Sequence, residues 1–264
     1  MDICVVCFVL ILWTVTQSVP LQADDLFPQL HETTTQMPMH VVQMGKGLER
    51  IPPGDSFVRS INFAYNHIAA LPPYVFHHNQ YKTLHRIELC QNKISEISQR
   101  AFRELKQLKM VDLSGNNITI IDPNTFKPNP RLEKLDLSYN KISFNPSRSF
   151  LQSHSLETLI LSDNKIEQIY EVTFYKLPKL RNLMMDNNII FLIEPNSFAP
   201  LGNLMYLSLV NTGVYRLSEN MFPNQSYPRI IDLTDTPLAN KFNPPLTKVK
   251  NNAVVNLINI DRYF

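Results

Sequence analysis

At 264 residues and 44% hydrophobic content, the chain has enough apolar material for one or two cored domains. A net charge of +2, with Lys and Arg scattered, implies no strong polyelectrolyte partner and offers no basic block for nucleic acid. Only 6 Gly, with no Gly-x-Gly-x-x-Gly and no Walker sequence, excludes a phosphate-cradling loop. In chain order, the first element is the apolar run ICVVCFVLILWTV, from Ile3 to Val15. It is too short to span a bilayer comfortably and fits the core of a signal peptide, cleaved after Ser18 or Ala23, with an uncleaved anchor as the alternative. Cys4 and Cys7 leave with it, so Cys90 remains without an internal disulfide partner. The stretch from Asp24 to Pro38 is polar and aperiodic and reads as a tail.

The next elements are copies of one frame. LEKLDLSYNKI (Leu132 to Ile142) has counterparts in VRSINFAYNHI, LHRIELCQNKI, LKMVDLSGNNI, LETLILSDNKI and LRNLMMDNNII. Two looser copies follow, LMYLSLVNTGV and PRIIDLTDTPL. Their key positions are Asn66, Asn92, Asn116, Asn140, Asn164, Asn188, Thr212 and Thr236. After the first interval the key positions recur every 24 residues, and a phenylalanine follows each of the first seven at a fixed offset, from Phe76 to Phe222.

In each frame the apolar residues of L-x-L alternate, so they face one side of a short strand. A lone strand cannot bury that side, but stacked turns can, and stacking joins the strands into a parallel sheet. The asparagine can both donate and accept, which suits the unpaired backbone where the chain leaves the strand. Thr212 and Thr236 carry only a hydroxyl, so a looser ladder is expected there. The phenylalanines are expected to fill the far side of each coil. Asn145 stands where other copies have Ile97, Ile121, Ile169 and Ile193, so a distorted outer loop is expected in that turn.

The frame L-x-x-L-x-L-x-x-N-x-L resembles the leucine-rich repeat, and the phenylalanine column resembles its extracellular, 24-residue subtype. That resemblance implies an α/β horseshoe: a right-handed solenoid with a concave parallel sheet and convex loops or short 3-10 turns. The expected organisation is a signal at 1–23, a tail and cap at 24–57, about eight repeats at 58–238 and a carboxy-terminal cap at 239–264. Gly45, Gly47, Leu48, Ile51 and Pro52 are similar to the amino-terminal cap of such proteins, and Thr236 to Leu238 to the opening of the carboxy-terminal one. Neither has the family's cysteines. Residues 253–260 are expected to close the stack as a strand.

No catalytic frame is present: no G-x-S-x-G, no H-E-x-x-H and no cysteine pair. No cofactor or metal is expected; His77 and His78 are adjacent but lack a third ligand. Cys90 occupies a serine slot of the repeat, with an intermolecular disulfide as the alternative. Asn117 and Asn224 open the sequons Asn-Ile-Thr and Asn-Gln-Ser, candidate glycan sites in a secreted chain. On the outward side of the strands, repeats two to four carry Glu88, Asp112 and Asp136 beside Arg86, Lys109 and Lys134, expected to pair across strands in water. Later repeats carry Ile160, Met184, Tyr206 and Ile230, an expected patch for a protein partner. The resemblance implies a secreted recognition module, in immunity or cell adhesion, with no membrane insertion once the signal is removed. The alternative is a structural, self-associating matrix-type protein.

Overall fold

The computed structural model describes residues 39–217, 219–222 and 227–250; the signal, the tail, Asn224 and residues 253–260 lie outside them. The chain winds through β1 (His40–Val42), β2 (Ser60–Asn62), β3 (Ala70–Leu71), the short helix α1 (Val75–His78), β4 (Arg86–Glu88) and β5 (Glu96–Ile97). It continues through β6 (Met110–Asp112), β7 (Lys134–Asp136), β8 (Thr158–Ile160), β9 (Gln168–Ile169), β10 (Asn182–Met184) and β11 (Leu192–Ile193). The last strands are β12 (Tyr206–Ser208), β13 (Ile230–Asp232) and β14 (Lys248–Lys250), with 3-10 turns at Glu219–Met221 and Ala239–Lys241. Ten of these strands form one sheet in the order β1-β2-β4-β6-β7-β8-β10-β12-β13-β14. All its pairs are parallel except β13 with β14, which is antiparallel. This is a leucine-rich repeat horseshoe of about eight turns, with little helix.

Register follows from the alternation of each three-residue strand. The middle residues Ile61, Ile87, Val111, Leu135, Leu159, Leu183, Leu207 and Ile231 stand opposite one another and are all fully buried. Burying such a side chain stabilises by about 1.5–3 kcal/mol, so the column is a main source of cohesion. Behind it, Phe76, Phe102 and Phe126 stack at centroid distances of 5.3 and 4.8 Å. Phe174, Phe198 and Phe222 stack at 5.8 and 5.5 Å. The two runs are separated at the turn containing Asn145, which is exposed. There Phe144 folds in against Phe150 and Phe174, at 5.1 and 5.6 Å. The short outer pairs, β3 with β5 and β9 with β11, lie on either side of this turn. An amide in an isoleucine slot cannot join the apolar wall, and a neighbouring ring takes the space.

The asparagines stitch turns together. Asn140 Oδ1 accepts from the Ile118 amide at 3.0 Å, in the preceding turn. Its Nδ2 donates to Leu113 O, also in the preceding turn, and to Leu137 O and Ser138 O in its own. Asn92, Asn116, Asn164 and Asn188 bridge turns in the same way. Thr212 and Thr236 spend their one hydroxyl hydrogen inside their own turns, on Leu209 O and Leu233 O. The second donation, across to the preceding turn, is therefore lost, as the sequence led one to expect. The residue before each key position is left-handed, from Tyr65 (φ 57) through Gly115 (φ 64) to Asp235 (φ 59). The bend demands that conformation, and most of these turns adopt it without glycine.

The first described residues join this frame. Asn66 Oδ1 accepts from the Lys46 and Leu48 amides, and its Nδ2 donates to Gln43 O. Gly45 and Gly47 have φ values of 62 and 71, which explains the Gly-x-Gly. Gly54 lies against the buried Tyr81 ring; a Cβ there would fall 2.0 Å from it. At the other end the last described strand of the sheet is β14, antiparallel to β13.

Candidate functional site: the open face of the sheet

Because the middle residue of every strand points inward, the first and third point out. Ile160 and Met184 are register partners in the third-residue column, and Tyr206 and Ile230 in the first-residue column. All four are half-buried. Parallel strands lie about 4.8 Å apart, so each pair is in contact range. The structure thus brings together the four residues singled out in the sequence, as two adjacent pairs on neighbouring columns. Tyr206 adds a polar end: its hydroxyl reaches Asp232 Oδ2 at 3.4 Å. Lys248 on β14 reaches the same carboxylate at 3.7 Å.

The acidic half of the face differs from the cross-strand pairing expected. Glu88, Asp112 and Asp136 are register partners and all are buried. Asp112 accepts from the amide and hydroxyl of Ser114, and Asp136 from those of Ser138. Each aspartate is thus bracketed by the serine two residues on, and neither forms an ion pair among the described residues. Burial pushes the Asp136 carboxyl above the ordinary range; the Ser138 hydroxyl opposes this and Asp112 adds to it. Glu88 does pair, with Arg86 on its own strand. Lys109–Glu133 and Arg181–Glu157 pair across turns just before the strands, at 3.3 and 3.9 Å.

One hub in this region was not legible in the sequence. Asp186 follows the β10 strand in the slot that holds Ser114, Ser138 and Ser162 in the three central copies. It accepts from Ser208 Oγ, from the Val210 amide at 3.0 Å and from Ser162 Oγ at 3.4 Å. It therefore ties three turns together beneath Met184. A carboxylate two residues after the position that holds Asp112, Asp136 and Asp232 was the only signal.

The remaining candidates fall elsewhere. Cys90 is fully buried just past the end of β4, so a bond to a second chain would require that turn to open. Asn117 is half-buried on the flank, and Thr119 beside it is exposed. His77 and His78 end α1 and are exposed, their rings 6.3 Å apart. No group of three metal-ligating side chains occurs among the described residues. A notch of about 140 Å³ lies on the outer side between Ile120, Phe144, Pro146 and Arg148. A second hollow of about 350 Å³ is lined by Arg181, Asn203, Met205, Tyr227 and Arg229. Neither lining contains a histidine, cysteine or carboxylate that would serve as a nucleophile or general base. Among the described residues no helix is long and apolar enough to cross a membrane.

A family model described as leucine rich repeat matches residues 82–142, 130–190 and 154–214. No curated protein matches the chain. Among solved structures, the octameric complex of Latrophilin 3 (Lec, Olf), Unc5D (Ig, Ig2, TSP1) and FLRT2 (LRR) contains a chain that superposes with a TM-score of 0.61 at 22% identity. The match covers 72% of this chain and 65% of that one, so this chain spans just under two thirds of its length. At this identity the likeness is one of fold.

Proposed function

Because the chain belongs to the leucine-rich repeat family, we propose that it is a secreted module that binds a protein partner on the open face of its sheet. Repeats of this family are commonly protein-binding and are not typically enzymes. The observation that carries the reading is the pairing of Ile160 with Met184 and of Tyr206 with Ile230 on a solvent-facing surface. Adjacent aliphatic, thioether and phenol groups with a polar rim have the make-up of a docking patch. Ordered strands hold them, so little entropy is lost on binding. The solved relative sits in a complex of several proteins, which supports partner binding as the broad role.

On this reading residues 1–23 direct secretion, 24–57 form a tail and cap, 239–264 cap the other end, and Asn117 and Asn224 are glycan acceptors. Immunity and adhesion are the settings that fit. Self-association is the other reading; burial of Cys90 disfavours a disulfide route to it. The test is a pull-down from extracellular fluid with the chain lacking residues 1–23, followed by titration of the captured protein. Alanine at Met184, Tyr206 and Ile230 together should weaken its binding by about 2 kcal/mol or more. Unchanged affinity would remove this face from the account.

A further inference from the structure

The flank of the solenoid carries a cationic stripe that is separate from the sheet face. The residue after each key position leaves the strand side and stands on this flank. In the first five turns these residues are His67, Lys93, Asn117, Lys141 and Lys165. His67 and the three lysines are exposed. Their backbones are fixed row to row: the amides of Lys93, Asn117, Lys141 and Lys165 donate to Ile68, Ile94, Ile118 and Ile142 O, at 2.9–3.0 Å. Rows lie about 5 Å apart, so the stripe runs about 20 Å in a line.

Few carboxylates answer it. The residues two positions earlier, Tyr65, Gln91, Gly115 and Tyr139, are uncharged through the first four turns, with Asp163 only in the fifth. Those two positions later, Ser95, Thr119 and Ser143, are hydroxyls, with Glu167 again in the fifth. None of the three lysines has an ion pair among the described residues. Lys141 and Lys165 stand on adjacent rows, where like charges repel. A linear anion laid along the flank would relieve that repulsion and would also meet Lys93 two rows away. Hydroxyls, amides and the exposed rings of Tyr65 and Tyr139 border the line.

We infer that this flank binds a linear sulfated polysaccharide, by charge along the row of lysines and by hydroxyl and ring contacts beside it. It goes beyond the sheet-face reading and does not depend on it. The test uses the secreted chain beside an Asn117→Gln variant, because Asn117 stands between Lys93 and Lys141, and binding by the variant alone would overturn the inference. A heparin dodecasaccharide is titrated at several salt concentrations. Alanine at Lys93, Lys141 and Lys165 should weaken binding about tenfold or more and flatten the salt dependence. Alanine at Lys127, Lys176 and Lys179, three exposed lysines off the stripe, should leave it unchanged. No binding by the wild-type chain at low salt, or equal loss in both variants, would overturn the inference. Equal affinity for polyglutamate of similar length would also overturn it, by assigning the stripe to acidic polypeptides.

Discussion

Asn140 is hydrogen-bonded on both sides of a turn boundary, and Thr212 donates on one. The difference sets an expectation. Asn140→Ala strands buried backbone groups in two turns and should cost about 2–3 kcal/mol in denaturant unfolding, whereas Thr212→Ala should cost about 1 kcal/mol. Asp136 is a second case. Its serine bracket needs only an acceptor, and Asn62 plays that part in the first turn by accepting from the Ala64 amide. Asp136→Asn should keep the bracket and remove a buried charge beside Asp112. Because burial raises the folded-state pKa, the native state holds its proton longer than the unfolded chain. Wild-type stability therefore falls as pH rises through the raised pKa. The variant should melt higher than wild type at neutral pH, with the gap closing as the carboxyl protonates; thermal unfolding from pH 4 to pH 8 checks this. These brackets were hidden in the sequence because Asp-x-Ser also reads as an exposed strand end. The asparagine roles were legible, since only an amide both donates and accepts at such a bend.

At the scale of elements, the first turn carries two extra residues. They leave room for α1 and seat Tyr81, whose ring covers Gly54. Burial pushes the Tyr81 phenol up to about 12. Gly54→Ala drives a methyl into that ring and should destabilise by about 1–3 kcal/mol. It should also speed amide exchange across residues 45–57, and a variant with exchange like wild type would show that the cap does not rest on Tyr81. The same burial logic applies to Cys90, which should resist a thiol reagent in the native state and react on unfolding. Gly45 and Gly47 were legible only through the family motif, and their left-handed backbone supplies the physical reason. The Gly54–Tyr81 contact could not, since it joins residues from two loops with no shared pattern.

For the molecule as a whole, a repeat converts sequence spacing into spatial rows. Ile160 and Met184 are 24 residues apart and adjacent in the sheet. For the same reason Lys93, Lys141 and Lys165 look scattered along the chain yet line one flank. The strand columns were legible because period two separates inside from outside. The flank was missed because charge was read along the chain rather than by register. The disturbed outer wall was half legible: Asn145 marked the turn, but only packing shows Phe144 taking the vacant place. The claim on which the functional account rests is that a protein partner docks on the open sheet. Hydrogen–deuterium exchange of the chain, free and bound to its captured partner, tests it most directly. Docking on the sheet should bring new protection over residues 158–160, 182–184, 206–208 and 230–232. Protection confined to the outer wall around residues 144–150, with those strands unchanged, would contradict it.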